Sequence, residues 1–370
     1  MLQTHLGDAV KLDFKPSKKV REALLLLGRT EDLKFSPDGK RLAISGYGTH
    51  KILILDIATK HGKNGTGLVA NDYLEVTCSD LKLPHGICWI DDSMLAVANR
   101  GSLVCVLQLP QKKPAHRTIE LTSYAVITRS DFPQLRAPGA VSVEKLGKDE
   151  YAFFVCCWPA NMVSRHVLNT KNSAVFSDHS VYLKNEVLTP DCVLRSGSGR
   201  LMAVSNHRSE FVGIYENSKP LNEKSVPIAK LIGSGFPHGL QFSADETYIF
   251  VASAGRPFVY VYHNGGKGWA GEYEPVTTIR TLDDEAFKRG NVNEADGGSK
   301  GLSLSQDGTI LAVTSEEAPL GFFDIQPLLK LKKFPKYVHP DFPQLPPKPP
   351  KSPWLKAWKA LRRIWKSRLR

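Results

Sequence analysis

Four residues of this 370-residue chain have types that suit a divalent-metal site: Glu31, His85, Asp191 and His238. Neutral imidazole nitrogen and carboxylate oxygen favour Zn or another transition metal over Ca, and an open coordination position holds water. A metal held this way polarises a carbonyl or acidifies its water, which is hydrolase, lactonase or lyase chemistry. In that reading Glu31 and Asp191 double as catalytic carboxylates. No stronger catalytic motif is present: the chain has no Gly-x-Ser-x-Gly, Walker loop, dinucleotide fingerprint or His-Glu-x-x-His.

The four residues are distant in sequence, so a repeated element must gather them. Each stands two positions ahead of a recurring apolar residue. The full series is Leu33, Ile87, Val141, Val193, Leu240 and Leu302, at spacings of 54, 54, 52, 47 and 62. Around it one pattern recurs: a small or polar lead-in, a short apolar strand, a turn, a stronger strand, a polar loop and a third strand. EDLKFSPDGKRLAISGYGTHKILILDI, PHGICWIDDSMLAVANRGSLVCVLQL and PHGLQFSADETYIFVASAGRPFVYVY are three of the copies. Their Val, Ile, Leu, Phe and Tyr content and their Asp-Gly or Asp-Asp turns read as strands. A fourth strand such as SVPIAKLIG follows each triplet. Four antiparallel strands repeated about every fifty residues describe propeller blades.

The expected fold is therefore all-β: a six-bladed β-propeller over residues 1–329, then a Pro-rich linker over 330–353 and a basic amphipathic helix over 354–370. The sixth unit ends near Ile325 without a fourth strand. The apolar segment REALLLLG, ahead of the first unit, is expected to supply it.

Inner strands of a propeller start at the rim of the central channel. Glu31, His85, Gly139, Asp191, His238 and Lys300 should therefore face that mouth, with Glu31 opposite Asp191 and His85 opposite His238. Lys300 would repel a cation or bind an anionic group of a substrate. A metal site, a metal-free polar pocket and a purely structural ring all fit this pattern. Loops on the same face add Asn99, Arg100, Trp158, Asn206, His207, Arg208 and Arg256. With Lys300 they are the candidate substrate-binding residues, and arginines among asparagines suit a polar or anionic small ligand.

PHG before an apolar strand, followed by S-P-D or S-A-D, resembles the propellers grouped as YVTN, NHL and gluconolactonase/regucalcin-like (TolB-like). The resemblance covers residues 20–326. It implies the six-bladed fold, and carboxylate metal ligands at Glu31 and Asp191. Gluconolactonase-like members place Asn where this chain has His, and amidating-lyase propellers use three His. These families include lactonases, lyases, binding domains and scaffolds. A non-catalytic scaffold that presents loops to a protein partner is the alternative function.

The formal charge of +12 resides in one place. From Lys330 onward 13 Lys and Arg meet one acid, Asp341, which leaves 36 bases and 36 acids in residues 1–329. Six cysteines without a Cys-x-x-Cys pair read as buried free thiols. No stretch has the length of a membrane span, and the N-terminal residues lack the apolar core of a secretory signal, so a cytoplasmic location is expected. The eight prolines between Phe334 and Pro353 suit an extended spacer. Ser352 and Pro353 then make a helix start. Beyond them Trp354, Trp358, Leu361 and Trp365 share one helical face with basic residues opposite. That is the pattern of a helix lying on the anionic inner face of a membrane, or in a partner's acidic groove. Nucleic acid is not expected, because the body carries no basic stripe.

Overall fold

The computed structural model describes residues 11–343 apart from 63–64, 102, 172–173, 291–292 and 332. The described strands form six sheets arranged as a six-bladed β-propeller. The inner strands are Thr30–Phe35, Pro84–Trp89, Pro138–Lys145, Pro190–Arg195, Pro237–Phe242 and Ser299–Leu304. Each contacts the inner strands of its two neighbours, and the last meets the first. Six apolar clusters fill the spaces between consecutive blades, including one between blades 6 and 1. Blades stacked face to face bury both sides of a strand, so the runs are apolar rather than alternating. In EYAFFVCC, Phe153 enters the cluster toward blade 2 and Phe154 the one toward blade 4.

Blades 2, 3 and 5 have four antiparallel strands. Blade 1 has four, with Asp13–Pro16 and Thr118–Leu121 added in parallel to its outer strand Gly65–Cys78. In blade 4, Gly271–Tyr273 joins the outer strand Ala229–Ile232. Blade 6 has three strands among the described residues. Its third strand is met by Lys11, which bridges Phe323, and by Leu12, whose N–H donates to Phe322 O at 2.8 Å.

The segment REALLLLG is not the outer strand of blade 6. It belongs to helix α1 (Lys18–Leu27). Val20, Ala23, Leu24 and Leu27 are its buried residues, at helical spacing, and pack between blades 1 and 6. Ser17 caps it, accepting from Val20 N at 3.4 Å. A run of four leucines is compatible with strand or helix. The Ser17 cap and the 3.6-residue period decide for helix, and the ring closes instead through the residues ahead of it.

The glycine of each PHG lets inner strands converge. A Cβ on Gly239 would stand 2.4 Å from Lys300 O, and one on Gly86 2.5 Å from Ala140 Cα. Gly239→Ala is expected to destabilise the protein by about 1–3 kcal/mol in urea unfolding, because only backbone can move aside. A loss below about 0.5 kcal/mol would mean that the strands are not so closely apposed.

Blade 3 contains a buried imidazole pair. His166 Nδ1 lies 2.7 Å from His179 Nδ1, and His166 Nε2 lies 2.8 Å from Ser164 Oγ. Burial, then His179 and Arg165, push His166 down to about 3 against an ordinary 6.5. Below pH 6.5 the unfolded chain takes up a proton that the folded protein refuses until about pH 3. Stability should therefore fall on acidification across that window, with this residue contributing up to roughly 1.4 kcal/mol per pH unit. His166→Gln should flatten the urea-unfolding profile between pH 6.5 and 3, and an unchanged slope would refute the assignment.

The described part of the Pro-rich segment lies against the propeller. Phe334 packs near Tyr248 and His263, and Phe342 near Phe258 and Phe287. Residues 344–370, including Trp354, Trp358, Leu361 and Trp365, lie outside the described residues. No helix among the described residues is long and apolar enough to cross a membrane. All six cysteines are free, four of them buried.

Candidate metal centre and ligand pocket

The six inner strands aim their second residues at the axis, and a cavity of about 980 Å³ opens above them. Glu31, His85, Asp191, His238 and Lys300 all line it, and each is at most 5% exposed. His85 and His238 face each other with ring centroids 5.2 Å apart. The Nε2 atoms of His85 and His238 lie 3.6 and 3.5 Å from Glu31 Oε2. Suitable donor atoms of Glu31, His85 and His238 all lie within 4.8 Å of one another. Asp191 is slightly displaced from this trio. Its Oδ2 is 3.3 Å from His238 Nε2, while its Oδ1 is 4.0 Å from His85 Nε2 and bonded by Arg100.

The imidazole of His85 is fixed by a backbone oxygen. Its Nδ1 lies 2.7 Å from Gly139 O, which only accepts, so Nδ1 carries the proton and Nε2 offers a lone pair. Burial and then Arg100 push His85 down to about 3, so it is neutral near pH 7. Arg100 Nη2 lies 3.3 Å from this Nε2. Glu31 Oε2 is buried and has no hydrogen-bond partner among the described residues. Burial alone would raise the Glu31 carboxyl, but Lys300 first, then His85, a contact from His238 and the charge of Arg29 hold it well below the usual carboxylate range. Asp191 is also held low, since Arg100 and the neighbouring histidines outweigh its burial.

Three cations balance these acids. Lys300 Nζ bonds Asp296 Oδ1 at 2.9 Å and lies 3.6 Å from Glu31 Oε2. Burial disfavours its ammonium, yet Glu31 and Asp296 raise it overall. Arg29 donates to Glu31 and sits 2.9 Å from Glu316 and 3.5 Å from Asp296. Arg100 bonds Asp191 and reaches Ala137 O at 3.1 Å. Sequence reasoning missed Arg29 as a pocket residue. It lies just ahead of the inner strand Thr30–Phe35, two positions before Glu31, and its length lets it reach back to that carboxylate.

The remaining expected residues divide into two groups. Trp158, His207 and Arg208 line the cavity. The guanidinium carbons of Arg100 and Arg208 each lie 5.8 Å from the Trp158 ring. His207 is shifted down by burial and lies 3.8 Å from Asp191. Asn99, Asn206 and Arg256 are not among the lining residues. Asn99 and Asn206 are fully buried and bond the backbone of the adjacent corners, at Lys82 and Leu188. Arg256 turns to Gly233 O, Tyr260 Oη and His339 Nε2, at 2.9, 3.1 and 2.6 Å. Loop asparagines and arginines look alike in sequence whether they close a corner or face a ligand.

No family model and no curated protein matches the chain. Among solved structures, it is similar to the β-propeller domain of Myceliophteria thermophila Cps50 (Swd1). That likeness has 11% identity and a TM-score of 0.49, over 81% of this chain and 97% of that one.

Proposed function

We propose that the pocket holds a divalent cation on Glu31, His85 and His238 and presents it to a polar or anionic small ligand. The observation that carries this reading is the buried Glu31 Oε2, which makes no hydrogen bond of ordinary length among the described residues and faces two histidine Nε2 atoms at 3.5–3.6 Å. A carboxylate oxygen facing an imidazole lone pair is a favourable seat for a cation, and here the Lys300 ammonium, 3.6 Å from that oxygen, offsets only part of its charge. Two nitrogens and one oxygen form the donor set of a zinc-type site open to the pocket. A bound metal would supply an electrophile or an acidified water, which suits lactone or ester hydrolysis or a related lyase step. Asp191, held ionised by Arg100, adds a negative charge beside the site. Arg208, exposed at the rim, and Trp158 would orient an anionic ligand.

A second reading is a metal-free, non-catalytic scaffold propeller. What favours it is that Arg29, Arg100 and Lys300 already neutralise the buried acids. Equilibrium dialysis of the full chain against Zn²⁺ decides between them. Uptake of about one ion per chain supports the metal centre, and none supports the scaffold. In either reading we assign residues 354–370 to attachment at an anionic membrane surface.

A further inference from the structure

We infer that the propeller turns its mouth face toward an anionic lipid surface, with Leu25 and Leu26 of α1 entering the interface beside the basic tail. The inference rests on reading residues 354–370 as a membrane anchor, and adds which face that anchor presents.

Two independent observations converge on the mouth. The first is where the described chain ends. Phe334 lies at the far end of blade 5, with ring centroids 6.2 Å from Tyr248 and 5.5 Å from His263. His339 is midway, its Nε2 3.1 Å from Tyr260 Oη. Phe342 reaches Phe258 and Phe287, at 6.0 and 5.9 Å. Phe258 opens its strand at the mouth end, and Phe287 lies on helix α2 (Asp284–Gly290), in the loop that enters blade 6 from the mouth. The segment thus climbs the blade and delivers residue 343 to the mouth face. The 27 residues after it include nine Lys and Arg and no acid.

The second observation is the last turn of α1. Leu25 and Leu26 are 74% and 76% exposed, the highest values for large apolar side chains among the described residues. The helix runs directly into the rim of blade 1: Thr49 Oγ1 donates to Leu27 O at 3.0 Å, and the Leu27 side chain abuts Gly46 at the mouth end. Leu188, 49% exposed, stands on the same face ahead of Asp191. The other exposed apolar residues are scattered: Leu146, Val175, Val226 and Ile228 at the opposite end of blades 3 and 4, Leu331 beyond blade 6, and Val338 on the C-terminal segment. An adjacent pair of protruding leucines inserts readily among headgroups, and the basic sequence that follows residue 343 matches an anionic lipid surface. Attachment strengthens with each added apolar or basic contact, and the leucines add apolar area to the tail's own Trp-containing sequence and charge. The pocket would then open toward the headgroup layer, with Arg208 at its rim.

Flotation with vesicles of phosphatidylcholine and about one-third phosphatidylserine tests this. The full chain should float. Leu25→Glu/Leu26→Glu should lower its partition coefficient at least about tenfold. The far-end control Leu146→Glu should change it less than about twofold, since that face does not meet the lipid. Both substitutions are at exposed positions, so circular dichroism should match the parent. Equal partition of the leucine variant and the parent overturns the orientation, as does an equal loss in the control. A chain ending at residue 343 separates the two claims. If truncation abolishes flotation while the leucine variant still floats, the orientation alone is wrong. If the full chain does not float, or truncation changes nothing, the anchor reading is wrong and the orientation falls with it.

Discussion

The double variant His85→Ala/His238→Ala is expected to lose its stoichiometric metal, falling from about one equivalent of Zn²⁺ per chain to less than about a tenth after dialysis. The proposed donor set has two nitrogens and one carboxylate oxygen, so the variant keeps a single protein ligand. Structural zinc sites release roughly 10–16 kcal/mol over four ligands, so two of them represent roughly 5–8 kcal/mol, or at least about a thousandfold in affinity. The fold should survive. The change removes the bond from His85 Nδ1 to Gly139 O, a loss of about 1 kcal/mol, and opens space that already borders the cavity. Elemental analysis beside a thermal melt checks both parts. Metal retained at full stoichiometry would exclude these histidines as ligands.

The second large effect is expected from Lys300→Met. Lys300 is 2% exposed and faces two acids, Asp296 at 2.9 Å and Glu31 at 3.6 Å. Removing one partner from a buried charge cluster leaves the others uncompensated, at a cost of about 3–5 kcal/mol. Arg29 remains on Glu31, so the lower end of that range is expected. The sign with pH follows. Glu31 is held below its ordinary 4.5 in the parent, so its contribution is present above pH 4.5 and is lost as pH falls. Without Lys300 its carboxyl rises, and this acid-sensitive contribution shrinks. Zn²⁺ should restore much of the lost stability, because a divalent cation replaces the missing charge beside Glu31 and no longer competes with an ammonium. Urea unfolding with and without Zn²⁺ provides the check. A variant as stable as the parent, or one indifferent to Zn²⁺, would contradict the electrostatic account.

The blades were legible because each repeats the same physical demand: an inner strand that starts at the axis, a tight turn and two strands buried on both faces. That demand recurs at Leu33, Ile87, Val141, Val193, Leu240 and Leu302, so the rim residues two positions ahead could be named before any coordinates. Helix α1 was missed because four consecutive leucines satisfy strand and helix alike, although the Ser17 cap and the spacing of Val20, Ala23, Leu24 and Leu27 were there to be read. The pocket divides in the same way. Residues on inner strands have directions set by backbone period, and Glu31, His85, Asp191 and His238 do meet. Corner residues have directions set by local hydrogen bonds. Asn99 and Asn206 therefore bond backbone, and Arg256 is taken up by the Tyr260–His339 contact. Arg29 bonds Glu31 locally, but its reach to Glu316 and Asp296, from blade 6 and its entry loop, could not be read from the sequence.

The most direct test is an anomalous-difference map, at the zinc edge, from crystals of the full chain grown with Zn²⁺. Our account predicts one strong peak on the propeller axis, enclosed by the Glu31 carboxylate and the Nε2 atoms of His85 and His238. A featureless channel, with zinc only at surface side chains, would contradict it.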